Sequence, residues 1–508
     1  MSVLLVHPPI SKPSEPPAGV ARLAGALKMH GVPCHMLDAN LEGILSLLDE
    51  TPTASDTWTS RAYRHVTAHR RFLKTPEAYE NPDRYRRAVL DMNRVLEKSI
   101  PSGPARVSLA NYADNTLSPL RSGDLLRIAE RPELSPFCTL FQKRIRGILQ
   151  KEDPSAIGFS LNYLSQALST FSMIGFIKRE NPRLRVMLGG GLVTSWMRRS
   201  AWKNPFQGLV DDLVAGPGER SLLSVFQRED AVGRYLPDYD GLSKGKYFSP
   251  GFILPYSASS GCYWHRCSFC PERAEGNAYQ PSSPEEAVAE VRVLTEKLRP
   301  VLIHFLDNAM SPRLLEVIAR QGLPTPWYGF VRFTHHLRSL DFCHELRRSG
   351  CVMLKLGLES GDQSVLDQLE KGIALETASV VLKNLKTAGI GAYVYLLFGT
   401  PVETRERAWR TLDFTVRHGA CIDFLNVAVF NMPAGLPETA RFNPKPFYTG
   451  DLSLYTDFVH PFDWSRALVR RFLDREFRRH PVIAPILKRD PPSFTSNHAP
   501  FFLREFPW

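Results

Sequence analysis

Hydrophobic positions in the first half of the chain form short continuous runs separated by helical stretches. Apolar runs of three or four residues lie at 3–6, 34–37, 156–159, 186–188 and 213–215. Strands of a parallel sheet are buried on both faces, so they read as continuous apolar runs rather than as alternating patterns. The pattern predicts an α/β domain over residues 1–235, built on a doubly wound, Rossmann-like parallel sheet.

A long segment interrupts this pattern at about residues 44–150. It shows no strand alternation, and its apolar residues recur at helical spacing, as Tyr85 and Val89 do among charged neighbours. Such a pattern is typical of amphipathic helices with one buried face. We therefore predict a helical insertion within the first domain.

Six further apolar runs follow, at residues 253–256, 301–306, 327–333, 352–359, 392–398 and 422–430. Helical stretches lie between them, and the first has a visible start, because Ser283 and Glu286 have capping-box spacing around Pro284. Six strand–helix units in series predict a partial (β/α)6 TIM-type barrel over residues 236–440. Reactive groups of such a barrel lie at the carboxyl ends of its strands.

Two segments lie before the first and after the last of these strands. Residues 236–251 are rich in Pro, Gly, Tyr and Asp, lack periodicity, and read as a linker between domains. After residue 440, an amphipathic stretch with Leu468, Val469 and Phe472 on its inward face predicts a C-terminal helical extension over 441–508.

Composition narrows the function classes. The 508 residues are 43% hydrophobic and 23% charged, which is typical of folded domains and excludes a mainly disordered chain. No apolar run approaches the roughly 20 residues of a membrane span, and the N-terminus lacks a secretory signal, so we expect a cytoplasmic protein with reduced cysteines. The net charge of +11 suits an anionic cofactor, nucleic acid or a phospholipid surface, and selects none of them.

Three of the eight cysteines lie within nine residues, directly after the first predicted barrel strand: Cys262, Cys267 and Cys270. Three thiolates can hold three irons of a [4Fe-4S] cluster and leave the fourth iron open to an amine and a carboxylate. A zinc site that uses His265 or a distant ligand, a CxxC dithiol and three buried thiols are the alternatives. A structural zinc site normally pairs two such motifs, and this chain has no second CxxC.

This loop and the barrel that it opens resemble the radical S-adenosylmethionine (SAM) superfamily over about residues 245–440. The superfamily's commonest spacing is C-x3-C-x2-C, whereas C-x4-C-x2-C is a variant that resembles part of its cobalamin-binding branch. The resemblance implies that Cys262, Cys267 and Cys270 hold the cluster and are indispensable for catalysis. An electron donor such as flavodoxin or ferredoxin would reduce the cluster, and SAM would then be cleaved to methionine and a 5'-deoxyadenosyl radical.

The same resemblance implies several SAM contacts at strand ends. Phe269 would pack near adenine, and Glu359, followed by Ser360, is similar to the superfamily's ribose-binding segment. The remaining candidates follow other strands: Asp307, Arg332 and Gly399. Arg332 suits the methionyl carboxylate because a guanidinium binds carboxylates in bidentate fashion; a salt bridge at the barrel rim is its alternative role.

Four segments of the first half resemble the cobalamin-binding domain that precedes many radical SAM barrels, over about residues 1–43 and 154–230. The candidate cobalamin contacts are Ser160, Gly189, Gly190, Thr194, Gly216 and Glu219. Glycines after strands let the backbone approach a large ligand closely. No D-x-H-x-x-G follows the first strand, so we expect no histidine below the cobalt and assign His7 a structural role.

Together, the two halves predict a cobalamin-dependent radical SAM enzyme that methylates an unactivated carbon of a small molecule or peptide. A radical oxidation, cyclisation or rearrangement without methyl transfer is the second hypothesis. A zinc-stabilised nucleic-acid binder, with Tyr263 and Trp264 as stacking residues, is the third, although no nucleic-acid motif supports it. We also consider that the insertion and residues 495–502 shape the substrate pocket.

Overall fold

The computed structural model describes residues 2–50, 56–100, 103–199, 202–229, 233–491 and 498–505. It divides into two compact units. The first comprises Met1–Pro250 with Tyr448–Leu454, and the second comprises Gly251–Phe447 with Tyr455–Pro491 and the end of the chain. The boundary therefore lies after Pro250 rather than at residue 235, and the residues beyond 440 are shared between the two units instead of forming a third.

Residues 236–250 belong to the first unit because they pack along its first helix. The Asp238 amide donates to the carbonyl of Ala21 at 2.8 Å, and its carboxylate pairs with Lys28 at 2.8 Å. Gly25 allows this approach, since a Cβ there would collide with the carbonyl of Leu236. The segment predicted as a linker is thus an ordered edge of the first unit.

The sheet of the first unit has five parallel strands: β1 (Val3–His7), β2 (Cys34–Asp38), β3 (Ala156–Ser160), β4 (Arg185–Gly189) and β5 (Asp212–Leu213). Their order is β2-β1-β3-β4-β5, and Val3 of β1 lies opposite both Cys34 and Ala156. The direction of winding changes between β1 and β3, where open parallel sheets bind cofactors. The predicted doubly wound sheet is confirmed.

Nine α-helices of the first unit lie in the described ranges: α1 (Ala18–Met29), α2 (Ala39–Asp49), α3 (Thr57–Phe72), α4 (Pro82–Lys98), α5 (Ser122–Glu130), α6 (Cys138–Glu152), α7 (Leu164–Glu180), α8 (Gly191–Met197) and α9 (Glu219–Val225). Helices α2 to α6 form the insertion between β2 and β3, which is helical as predicted. An antiparallel hairpin of Ala105–Val107 and Tyr112–Asp114 lies within it and was not predicted.

The second unit is a six-stranded parallel sheet: β6 (Ile253–Tyr256), β7 (Leu302–Phe305), β8 (Trp327–Val331), β9 (Cys351–Glu359), β10 (Gly391–Phe398) and β11 (Phe424–Val429). Each strand pairs with the next in chain order, and β6 and β11 are the two edges. The register shifts between Gly357 and Glu359, at the carboxyl end of β9. The predicted partial barrel is confirmed.

The described helices of the second unit are α10 (Pro271–Ala274), α11 (Pro284–Leu298), α12 (Pro312–Gln321), α13 (Leu340–Arg348), α14 (Gln363–Gln368), α15 (Leu375–Ala388), α16 (Arg405–Arg417), α17 (Arg466–Phe472) and α18 (Ile483–Arg489). Ser283 caps α11 as predicted and accepts the Glu286 amide at 3.4 Å. Leu468 was predicted to face inward and is exposed, because α17 turns its neighbour Val469 toward Gly399 instead. Within the described ranges, every helix is too short or too polar to cross a lipid bilayer.

A short C-terminal segment, Ala499–Glu505, covers the amino end of the barrel. Its apolar side chains complete a core with the first residues of the strands: Ile253, Leu302, Tyr328, Val352, Met353, Tyr393, Phe424, Ala499 and Leu503. The His498 ring packs against the Tyr393 ring with centroids 4.2 Å apart, and it pairs with Asp490 at 2.7 Å. Residues 495–497 lie outside the described residues, and 498–502 lie at the end of the barrel opposite the cysteine loop, so they do not line its mouth.

Candidate active site

The cysteine loop follows β6 and is held at its base by a short two-stranded ladder. Ser259–Ser260 pairs with Gln280–Pro281. Gly261 then turns the chain with φ +71, and a Cβ there would lie 2.5 Å from the carbonyl of Ala278. Cys267 is buried, whereas Cys262 and Cys270 are partly exposed, and all three are free thiols. The loop therefore presents three thiols at the carboxyl end of the barrel.

Asp307 fixes the approach to this loop. Its carboxylate accepts the Ala258 amide at 3.0 Å and the Ser259 hydroxyl at 2.5 Å. Burial raises the pKa of Asp307, and these hydrogen bonds partly offset that effect. Since both carboxylate oxygens are engaged, the structure places Asp307 as a clamp on the loop's base, and its predicted SAM contact stays a prediction.

The far side of the loop docks on residues 369–372, which follow α14. The Ser268 amide donates to the carbonyl of Leu369 at 3.0 Å, and the Trp264 indole donates to the carbonyl of Glu370 at 2.9 Å. Gly372 has φ +64, and a Cβ there would overlap the Trp264 ring. We call residues 369–372 the docking segment.

Arg332 leaves the end of β8 and lies between the loop and the docking segment. Its guanidinium donates to the carbonyl of Lys371 and reaches the sulfur of Cys267 at 3.9 Å. The same group lies over the Trp264 ring, 4.3 Å from its centroid. Arg332 is 7% exposed, so these contacts form in a water-poor site.

Glu359 ends β9 in the left-handed conformation, with φ +69. Its carboxylate pairs with the Lys371 ammonium at 2.8 Å. Gly357 leaves room for this pair, because a Cβ there would lie 2.7 Å from the Glu359 oxygen and 2.9 Å from the Lys371 nitrogen. A strained backbone that aims a polar side chain into a site is a common feature of functional sites.

The thiols fit a cluster in their electrostatic surroundings. Burial raises the pKa of Cys267, and the nearby ammonium of Lys371 and guanidinium of Arg332 partly offset the effect. Burial also raises the pKa of Cys270 to about 11, against backbone N–H groups of Glu272 and Arg273 that donate to it. Cations and N–H donors around the sulfurs are the groups that stabilise bound iron–sulfur clusters.

The zinc alternative requires ligands that meet at a single ion. Among the described residues, no three His, Cys, Asp or Glu side chains converge as ligands of a single ion. The His265 ring instead contacts the carbonyl of Glu272 at 3.3 Å. Three thiolates on a cubane cluster bind three separate irons, so they need not meet at one point.

Other predicted SAM residues have different surroundings. The Lys371 ammonium lies 5.4 Å from the centroid of the Phe269 ring, so Phe269 joins the same cluster of side chains. Ser360 is fully buried and contacts the hydroxyl of Thr411 on α16 at 3.1 Å, a contact outside that cluster. The Gly399 amide donates to Glu403 at 2.6 Å.

Most of the predicted cobalamin contacts form one rim at the carboxyl ends of β3, β4 and β5. The Ser160 hydroxyl accepts from Asn162, whose oxygen accepts the amide of Gly191 at 2.9 Å. Gly190 has φ +108 and lies against the backbone of Leu161. The carbonyl of Gly189, at the end of β4, accepts the Leu161 amide at 2.8 Å, and the Thr194 hydroxyl accepts the amide of Gly216 at 2.9 Å.

Glu219 and His7 are engaged in contacts within the first unit. Glu219 is buried and pairs with Arg22 of α1. His7 is buried, contacts the Ser11 hydroxyl at 2.8 Å, and has its pKa lowered by burial. The structural role predicted for His7 agrees with these contacts, whereas the predicted cobalamin contact of Glu219 stays a prediction.

Sequence reasoning missed the docking segment, which supplies Lys371 and Gly372. These residues lie about a hundred positions after the cysteine loop and carry no motif of their own. Left-handed φ values at Glu370 and Gly372 mark a sharp turn there. The only signal in the sequence was a lysine followed by glycine after a short helical stretch.

Residues 256–415 match the sequence profile of the radical SAM superfamily. An uncharacterized methyltransferase of Pyrococcus horikoshii, PH0819, is 24% identical over 307 residues, which cover 53% of this chain and 66% of the relative. The bacteriochlorophyllide d C-12(1)-methyltransferase of Chlorobaculum tepidum is 26% identical over 224 residues, which cover 42% of this chain and 45% of the relative. The chain thus spans less than two thirds of each relative.

Among solved structures, the radical SAM methyltransferase TsrM from Kitasatospora setae, with cobalamin and a [4Fe-4S] cluster bound, has a TM-score of 0.51 and 15% identity. The match covers 85% of this chain and 76% of TsrM. At this identity the likeness concerns the fold alone. Residues 256–415 form a radical SAM domain, as the sequence predicted.

Proposed function

We propose that this enzyme uses a [4Fe-4S] cluster, SAM and cobalamin to methylate an unactivated carbon of a small molecule or peptide. The observation that carries the proposal is the set of three thiols at the carboxyl end of the barrel, beside the buried Arg332 and Lys371 and the half-buried Glu359. A low-potential flavodoxin or ferredoxin is the proposed electron donor.

In this proposal, Cys262, Cys267 and Cys270 each bind one iron of the cluster. The bound cluster supplies one electron for reductive cleavage of SAM. The chain's own residues bind and orient the cofactor. The Glu359 carboxylate accepts hydrogen bonds from the ribose hydroxyls, and Lys371 holds that carboxylate in place through the 2.8 Å ion pair.

The cobalamin part of the proposal rests on the first unit. Its doubly wound sheet has a rim of glycines and small polar side chains at the strand ends, where open α/β sheets bind ligands. The fold that the chain shares with TsrM over 85% of its length includes both units. Two relatives named as methyltransferases support methylation as the outcome.

Anaerobic purification with reconstitution tests both cofactors at once. We expect about four irons, four sulfides and one corrin per chain, together with formation of 5'-deoxyadenosine or of a demethylated SAM product after reduction. Cys267→Ser should lose the cluster and SAM cleavage and keep the corrin. Cys421→Ser, a change at a partly exposed thiol outside the loop, is the control and should keep all three.

SAM with a deuterated methyl group separates the proposed reaction from its rival. Appearance of that methyl group in the product supports methyl transfer. A product that lacks the label indicates oxidation, cyclisation or rearrangement instead. A wild-type chain that contains one zinc ion in place of iron after reconstitution would overturn the proposed function.

A further inference from the structure

Arg332 is fixed from three sides at the sulfur of one predicted cluster ligand. Its guanidinium donates to the carbonyl of Lys371, lies over the Trp264 ring at 4.3 Å and reaches Cys267 Sγ at 3.9 Å. The rigid, planar guanidinium suits such a site, because a planar group can stack on a ring while its edge donates hydrogen bonds. The position of the charge is therefore set by the protein.

Trp264 is itself held in place. Its indole N–H donates to the carbonyl of Glu370 at 2.9 Å, and the ring lies on Gly372, where any side chain would displace it. Trp264 lies in the four-residue spacer between Cys262 and Cys267. The longer spacer thus carries the residue that stacks on Arg332.

These contacts point to a role for Arg332 other than the predicted partner of the methionyl carboxylate. One face of the guanidinium already meets the Trp264 ring, and its edge meets Cys267 and the Lys371 carbonyl. A fixed positive charge beside a thiolate in a buried site changes the energy of any negative charge added nearby. When a cluster accepts one electron from an external low-potential reductant, its net charge becomes more negative by one and no bond is broken.

We propose that Arg332, held by Trp264 and the Lys371 carbonyl, is a positioning residue that fixes positive charge at Cys267 and raises the reduction potential of the cluster. This inference rests on the proposed function, because it takes Cys267 as a cluster ligand. Hydrogen bonds to cluster sulfurs and nearby charge are recognised determinants of cluster potential. Trp264 acts through Arg332, and Gly372 acts through Trp264.

The test is an EPR-monitored redox titration of the reconstituted holoenzyme without substrate. Arg332→Met should lower the equilibrium constant for cluster reduction about tenfold, which for a one-electron couple is a shift of 59 mV to more negative potential. Trp264→Ala and Gly372→Ala should shift the midpoint in the same direction by less. The double variant of Arg332→Met and Trp264→Ala should shift it no further than Arg332→Met alone. Trp264→Phe, which keeps a stacking ring, should restore most of the wild-type midpoint.

Arg338→Met is the matched control, because it removes an arginine six residues later that pairs with the exposed Glu376. It should leave the midpoint unchanged. If Arg332→Met does not assemble a cluster, the midpoint potential of Trp264→Ala is the test instead. An unchanged midpoint in that variant overturns the inference. A wild-type chain without a cluster refutes the proposed function and this inference together. Assembled clusters with equal midpoints in wild type and variants refute the inference alone.

Discussion

Glu403 offers a sharp test of buried electrostatics in the barrel. Its side chain is fully buried, and one carboxylate oxygen accepts both the Gly399 amide at 2.6 Å and the Trp464 indole at 2.9 Å. Burial raises the pKa of Glu403 to about 7, from 4.5 for a free carboxyl. The folded chain therefore binds a proton more tightly than the unfolded chain does.

The sign of the pH effect follows from this difference. Because the folded pKa is higher, the stabilising contribution is complete below pH 4.5 and is lost as pH rises through 7. At 1.36 kcal/mol per pKa unit, the whole contribution is about 3.4 kcal/mol. By the same linkage relation, about 2 kcal/mol of it is lost between pH 5.5 and 8.5.

Thermal unfolding of wild type and Glu403→Gln across that pH range measures the effect. The glutamine cannot ionise, so its melting temperature should lack this part of the pH dependence. The gap between the two proteins should change by about 4–8 °C from pH 5.5 to 8.5. Glu406→Gln, a change at an exposed carboxyl three residues later, should follow the wild type. A gap that stays constant with pH would refute the assignment of Glu403 as the titrating group.

Further predictions concern the ion pair of Glu359 and Lys371, the ion pair of Arg22 and Glu219, and His498 at the amino end of the barrel. Gly357→Ala should disrupt the ion pair of Glu359 and Lys371 and weaken SAM binding at least tenfold by calorimetry. Gly147→Ala, at a helical glycine with open space around it, should bind SAM normally. Arg22→Met should leave the buried Glu219 carboxylate without its partner and destabilise the first unit by about 3 kcal/mol, seen as a lower midpoint of unfolding in urea. If Glu219 serves only this ion pair, Glu219→Gln will keep full corrin content. His498→Ala should destabilise the second unit by about 2 kcal/mol, seen as a lower melting temperature, and leave SAM cleavage at 25 °C unchanged. Slower cleavage would show that the amino end of the barrel influences the site at its carboxyl end.

The strands were predictable because each is a continuous apolar run, and β6 was predicted residue for residue. The other strands were predicted with errors of one or two residues at their ends, where polar residues such as Arg185 and Asp212 continue a strand. The face of α17 was partly wrong. Leu468 and Val469 are equally apolar, and only the position of Gly399 determines which of them is buried.

The parts of the candidate site that lie in short sequence motifs were predictable. Three cysteines within nine residues are visible in the sequence, and so is a glutamate in Gly-Leu-Glu-Ser-Gly after a strand. The partners of these residues are not visible, because Trp264 meets Glu370 across 106 positions. Arg332 was predicted at the right strand end, but its orientation toward Cys267 depends on a turn that no local pattern specifies.

The C-terminal segment also sets the order of events when the chain is made. During translation, residues 1–440, with all six barrel strands, emerge from the ribosome before Ala499 and Leu503 do. Until those two residues emerge, Ile253, Tyr393 and Phe424 lack part of the apolar core that they form with the C-terminal segment. The barrel core is thus complete only after residue 503 has been translated, and chains truncated before Ala499 would lack this part of the core.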